Sequence, residues 1–162
     1  MIACPTYTLP PFGSVFMLEI TKVIEWDMGH RVPNHANKCR NPHGHRYRLE
    51  VSVTGQVNNQ LNSPQEGMIC DFFELKEILK TTIHDQLDHR FAIAESDTVF
   101  KQFFEANQDH FSYITVPFIP TVENLLLWCV EKIQEKFGPE LVLTRARLYE
   151  TMGSWADYHA PK

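Results

Sequence analysis

The segment Cys39-Arg-Asn-Pro-His-Gly-His-Arg-Tyr-Arg-Leu-Glu-Val51 sets a thiol ahead of a His-Gly-His pair and then runs into an alternating stretch. Residues i and i+2 of a strand point to the same side, so His43 and His45 aim together if a strand begins near His43. Two imidazoles held that way chelate a metal. His30, at the end of an earlier β-branched and aromatic segment, is the natural third ligand if the two strands are antiparallel neighbours. Three neutral imidazoles with one open position suit a catalytic zinc, whereas structural zinc is usually closed by four protein ligands, often thiolates. Cys39 therefore has two uses: a fourth ligand that makes the segment a structural clip, or an acid–base group beside the metal. His35 is a further imidazole, but on a loop. A lone His-x-His is also found as ordinary surface or core histidines.

Three other places carry chemistry. Asp88 stands next to His89 just past a helix, and a carboxylate beside an imidazole fixes its tautomer and raises its basicity, a proton-transfer unit. The same dipeptide also reads as a helix C-terminal histidine that favours the dipole. In Pro120-Thr-Val-Glu-Asn124, Thr121 can cap a helix and Glu123 falls in its first turn, which is simple capping. Glu150, in Leu148-Tyr-Glu-Thr-Met-Gly153, ends an otherwise apolar strand. There a carboxylate either accepts two N–H groups from a planar heterocycle at a pocket edge or is a solvated strand end.

These residues need elements to position them. Residues 18–28 alternate roughly and read as a strand. Residues 31–42 hold two prolines and three asparagines and read as a loop. Residues 46–57 alternate cleanly, with Tyr47, Leu49, Val51 and Val53 on one face, which predicts a half-buried strand. Asp71 caps a helix that runs to about Gln86, with Glu74 completing a partial capping box and Phe72, Leu75, Leu79 and Ile83 on one stripe. Residues 91–120 carry a short helix around Phe100, Phe103 and Phe104 and then an extended, loop-like "TVPFIP". Thr121 opens a second strong helix with Val122, Leu125, Cys129, Ile133 and Phe137 on one face, stopped by Gly138-Pro139. A strand from Leu141 to Glu150 and a final short strand in "SWADYHA" follow.

The chain has 162 residues, 43% hydrophobic and 22% charged, which is one soluble globular domain with a core of its own. A formal net charge of −5 argues against a general nucleic-acid binder. No apolar run reaches the ~20 residues that span a bilayer, and the start lacks the pattern of a signal peptide. The four cysteines are scattered, without a CxxC, which reads as free thiols in a reducing cytoplasm. Residues 1–16 read as a loosely ordered N-terminal arm, with Met17 as an alternative start, and residues 17–162 as a single domain.

Taken together, "GHR" with His30, "CRNPHGHRY" with Cys39, His43 and His45, "GMICDFFELK", "QLDH" with Asp88 and His89, "PTVEN" and "YET" with Glu150 resemble the 6-pyruvoyl-tetrahydropterin synthase family from about Leu18 to Tyr158. Within it the bacterial queuosine-pathway branch, which forms 6-carboxy-tetrahydropterin, is the nearer match. The resemblance implies an α+β tunnelling fold (T-fold): an antiparallel four-stranded sheet with two helices on one face, sheets joined into an oligomeric barrel as a homotrimer or homohexamer. It implies active sites between subunits, zinc on His30, His43 and His45, Cys39 as catalytic base or nucleophile, and Asp88–His89 as proton relay. Glu150 would anchor a pterin ring, with Thr121 and Glu123 near that pocket. The implied substrate is 7,8-dihydroneopterin triphosphate, with no nucleic-acid or membrane partner. The products are either 6-carboxytetrahydropterin, acetaldehyde and triphosphate or, in the biopterin branch, the pyruvoyl compound. A zinc-stabilised pterin-binding module without catalysis is the remaining reading. The 91–119 stretch is longer than compact bacterial members carry.

Overall fold

Strands β1 (Ile20–His30) and β2 (His43–Gly55) form a long antiparallel ladder that decides which side chains are buried. Ile24 pairs with Leu49, Trp26 with Tyr47, Met28 with His45 and His30 with His43. With period two, the even positions of β1 and the odd positions of β2 share a face. Ile24, Trp26, Met28, Tyr47, Leu49, Val51 and Val53 on that face are all buried. The opposite face carries an ionic lattice in which Arg46 meets Glu25 at 3.1 Å, Arg48 meets Glu50 at 2.6 Å and Arg147 meets Asp157 at 2.6 Å. The computed structural model describes residues 18–161, so the expected arm over residues 1–16 and the alternative start at Met17 lie outside the described residues.

Two helical stretches cover the apolar face. Asp71 caps α1 (Phe72–Leu79) by accepting the Phe73 amide at 2.7 Å. The predicted capping box does not close, because Glu74 instead accepts from the Gln65 side chain at 2.9 Å. Leu75, Leu79, Ile83 and Leu87 are buried, while Phe72 lies half out of the stripe. A strict four-residue spacing drifts by roughly 40° per step on a regular helix. The chain answers with a π-type segment, Lys80–His84, before a last turn α2 (Asp85–Leu87), which keeps Ile83 and Leu87 on the core. The second stretch, α4 (Val122–Gln134), buries Leu125, Cys129 and Ile133, with Val122 and Phe137 packed beside them, the face expected from the sequence.

The expected four-stranded antiparallel sheet is corrected to six strands in mixed order: β4 (Tyr113–Val116), β3 (Arg90–Ala94), β1, β2, β5 (Leu141–Thr151) and β6 (Ser154–His159). The four long strands β1, β2, β5 and β6 are antiparallel as expected. The stretch between the helical elements adds β3, parallel to β1, and β4, parallel to β3. Both are too short for periodicity to declare them, and β3 ends in three consecutive buried residues, so no polar alternation marks it.

Between them α3 (Thr98–Ala106) forms around the predicted phenylalanines. It does not join the other helices. Phe91 shares the face of Gly29, where a Cβ would lie 2.6 Å from the Phe91 ring. Phe91 stacks on Phe100 and Phe104 at 5.6 and 5.2 Å. Helices thus lie on both faces, α1 and α4 on one and α3 at one end of the other. No helix among the described residues is long and apolar enough to cross a membrane.

Candidate metal centre and proton relay

Because β2 begins at His43 and β1 ends at His30, the two strand ends bring His30, His43 and His45 together on the helix-covered face. One ligand atom from each lies within 4.8 Å of the others. That is close enough for small rotamer adjustments to bring all three onto one ion at the ~2.0–2.1 Å of a zinc–imidazole bond.

Two backbone carbonyls set the ring orientations. His30 Nδ1 lies 2.6 Å from the Pro120 carbonyl oxygen, and His43 Nδ1 lies 2.8 Å from that of Asn41. A carbonyl only accepts, so each Nδ1 carries the proton and each Nε2 keeps its lone pair. Nε2 of His30 and Nε2 of His45 are buried without any hydrogen-bond partner. Burying such atoms unpaired is costly, which is what a metal on those lone pairs would repair.

The electrostatics agree. Burial pushes the His30 pKa down to about 4; the Pro120 carbonyl works the other way, and the imidazoles of His43 and His45 add to the fall. Burial also lowers His45, against the pull of Glu150. His30 is therefore uncharged at neutral pH, and burial favours the same neutral form of His45, the form that ligates metal. Neutral imidazoles in this number are a zinc donor set with room for a further ligand, so the residues fit the ion.

Glu150 reaches the same place. Its Oε1 stands 3.5 Å from His30 Nε2 and 3.9 Å from His45 Nε2, with the side chain a quarter exposed. This is the lip of the cluster rather than a solvated strand end, and the carboxylate can serve either as a further metal donor or as an anchor for a bound heterocycle.

Cys39 lies on a 3-10 turn, Lys38–Arg40, between the ligand strands, half-buried and free. Its carbonyl accepts the Val32 amide at 2.8 Å. Among the described residues the group able to hold an ion consists of the three histidines and does not include Cys39, which disfavours the structural clip. His35 is not in that group either, and its Nδ1 accepts the Asn37 amide within the loop.

The PTVEN segment is connected to the centre by a route the sequence did not reveal. Thr121 accepts the Asn124 amide at 3.5 Å as the cap of α4, and Glu123 is exposed in the first turn. The contact with the histidines comes from the Pro120 carbonyl, a backbone group whose partner no residue type announces.

Asp88 and His89 form a hydrogen-bonded pair, His89 Nδ1 to Asp88 Oδ2 at 2.8 Å. Asp88 Oδ1 accepts the Asp27 amide at 3.1 Å, and the His89 amide donates to the Asp27 carbonyl at 2.8 Å. Burial works against the Asp88 charge, but the Asp27 amide and the His89 ring together hold its carboxyl below the usual range. His89 takes φ of 57°, left-handed for a residue with a side chain, and its ring is 80% exposed. Strain held by two bonds to Asp27 and spent on presenting an imidazole to solvent is a mark of use.

His89 opens onto a cleft of about 730 Å³ with Asp27, Arg46, His110 and Phe111. Asp27 and Arg46 face away from the helix-covered side. His45 and Gly44 also line this cleft, while the three imidazoles converge on the helix-covered face of the sheet.

The sequence profile of the 6-pyruvoyl tetrahydropterin synthase family matches residues 19–161. The chain is 31% identical over 143 residues to the 6-carboxy-5,6,7,8-tetrahydropterin synthase of Haemophilus influenzae, covering 88% of this chain and 99% of that protein. It is 27% identical over 162 aligned positions to the Aquifex aeolicus protein of the same name, covering 86% and 96%. Among solved structures, the 6-pyruvoyl tetrahydropterin synthase of Caenorhabditis elegans superposes with a TM-score of 0.64 at 23% identity, over 90% of this chain and 96% of that one. A Wolinella succinogenes protein of uncharacterised function superposes with a TM-score of 0.75 at 22% identity, over 90% and 99%. At these identities the structural likeness speaks for a shared fold.

Proposed function

The chain belongs to the 6-pyruvoyl tetrahydropterin synthase family, and from that premise we propose that it is a zinc-dependent 6-carboxy-5,6,7,8-tetrahydropterin synthase. It converts 7,8-dihydroneopterin triphosphate and one water to 6-carboxytetrahydropterin, acetaldehyde and triphosphate, for queuosine and other 7-deazaguanine synthesis in the cytoplasm. The observation that carries the reading is the convergence of His30, His43 and His45, with buried, unpartnered Nε2 atoms on His30 and His45.

When bound by these histidines, zinc supplies Lewis-acid polarisation of the substrate's side-chain hydroxyls. Glu150 accepts paired N–H groups of the pterin ring and sets its depth, with Thr121 and Glu123 bordering that pocket. Cys39, as thiolate, removes a proton from the substrate side chain. Asp88 holds the Nδ1 proton of His89, leaving Nε2 to take and return protons at the substrate.

His89 opens beside Asp27 and Arg46, whose side chains leave the sheet on the face opposite the three imidazoles, and this supports a centre completed by the relay of a second copy. The exposed sheet edges favour such an assembly. Among the described residues, β3 pairs with β1 only at Met28–His30, so on that side the edge from Ile20 to Asp27 has no partner strand, and β6 pairs only with β5. Open edges of this kind call for pairing, here with other copies in a homotrimer or homohexamer.

Incubation with 7,8-dihydroneopterin triphosphate and mass spectrometry of the products tests the reaction. 6-Carboxytetrahydropterin with acetaldehyde supports it. A pyruvoyl product selects the family's other synthase activity. An unconsumed substrate overturns both and leaves a binding module.

A further inference from the structure

The guanidinium of Arg31 is engaged on three sides. Nε lies 2.5 Å from Asp97 Oδ2 and Nη2 lies 2.6 Å from Asp97 Oδ1, a two-pronged ion pair. Its Cζ lies 4.0 Å over the ring of Phe100 in α3. Nη1 donates to the Arg40 carbonyl at 3.4 Å.

Sequence position gives these contacts their meaning. Arg31 directly follows the candidate ligand His30, and Arg40 directly follows Cys39. Asp97 is 5% exposed and also accepts the Phe100 amide, so one carboxylate both caps α3 and grips Arg31.

The turn bearing Cys39 has little to hold itself. It contains no buried residue. Its internal bonds are Arg40 N–H to the Asn37 carbonyl at 3.3 Å and Asn41 N–H to the Lys38 carbonyl at 2.9 Å. Its ties to the strand end are the Val32 amide on the Cys39 carbonyl and the Arg31 guanidinium on the Arg40 carbonyl.

We propose that Arg31 is a positioning residue for the Cys39 thiol, and that Asp97, brought in by the segment between β3 and β4, acts on the Cys39 turn through Arg31. A lysine cannot replace it, because a point charge cannot fork onto the carboxylate, reach the carbonyl and stack on Phe100 at once. The inference rests on the reading of Cys39 as the acid–base group, but the local coupling can be read without turnover.

Hydrogen exchange and kinetics on Arg31→Lys and Asp97→Asn test it, with Phe104→Leu as control. Phe104 is buried in the α3 aromatic stack and bonds to neither Arg31 nor the turn. In Arg31→Lys and Asp97→Asn, amides of residues 38–41 are expected to exchange at least ~10-fold faster while those of β2 stay protected. kcat should fall roughly 10–100-fold, the scale of a misplaced reacting group, at nearly constant KM and full zinc content. Phe104→Leu should lower Tm and leave turn exchange alone.

Wild-type exchange at residues 38–41 together with wild-type kcat in Arg31→Lys would overturn the proposal. So would Phe104→Leu reproducing both changes, since anchoring of α3 would then suffice. Should Asp97→Asn not fold, Arg31→Lys decides. If Cys39→Ala keeps its turnover, the catalytic reading fails, whereas the exchange result still reports the coupling.

Discussion

Cys39→Ala is expected to fold, keep one zinc per subunit and lose turnover by at least ~10²-fold, the low end of what a positioned acid–base group supplies. The expectation follows from where the thiol stands. It lies on the turn between the two strands that carry the histidines, half-buried, outside the group of three nitrogens. Iodoacetamide should therefore modify Cys39 before the other cysteines of the domain. Burial and the carboxylates of Glu74 and Asp71 raise the Cys70 thiol, and burial alone raises Cys129, which is fully buried. Slow labelling of Cys39, with zinc lost in the alanine variant, would make the segment a metal clip instead. Peptide mass spectrometry and elemental analysis read both quantities on the same samples.

His45→Ala is expected to lose most of its zinc and with it nearly all activity. The Nε2 of His45, like that of His30, is buried without a hydrogen-bond partner among the described residues, with the Glu150 carboxylate 3.9 Å away. Removing it leaves His30 and His43, a two-imidazole site. The loss of affinity should exceed the ~10–100-fold that altering an outer-shell partner costs. Elemental analysis after equilibration with a weak chelator measures it. Stoichiometric zinc in the variant would mean that the histidine cluster does not hold the metal. Glu150→Gln separates the two uses of that carboxylate. A pterin anchor predicts raised KM with normal zinc, and a metal donor predicts lowered zinc.

Much of this centre was legible in the sequence because its parts obey simple periods. The i, i+2 spacing of His43 and His45 needed only a strand starting at His43, and the ladder pairs His43 with His30. The stripe of Leu125, Cys129 and Ile133 declared α4, and Asp71 and Thr121 declared the helix starts. What stayed hidden depends on contacts between distant backbone segments. β3 and β4 are five and four residues long and pair in parallel, so no hairpin turn announces them. The drift in the α1 stripe is absorbed by a π-type segment that no residue type marks. The Pro120 carbonyl and the Arg31–Asp97 pair join positions far apart in the chain. Asp88–His89, which reads as relay or helix end, gains three-dimensional detail: the left-handed His89 backbone, the His89 amide bond to the Asp27 carbonyl and the Asp27 amide bond to the Asp88 carboxylate.

The central claim is that catalysis joins the histidine cluster of one copy to the Asp88–His89 relay of another. Complementation between two inactive variants tests it most directly. His45→Ala supplies an intact relay without metal, and His89→Ala supplies an intact metal centre without the relay imidazole. After the two are mixed, dissociated and reassembled, zinc-supplemented mixed oligomers are expected to regain turnover of 7,8-dihydroneopterin triphosphate, while each variant reassembled alone stays inactive. A mixture that remains as inactive as its components, in oligomers shown by native mass spectrometry to contain both chains, would mean that each chain completes its own site and would contradict a centre shared between copies.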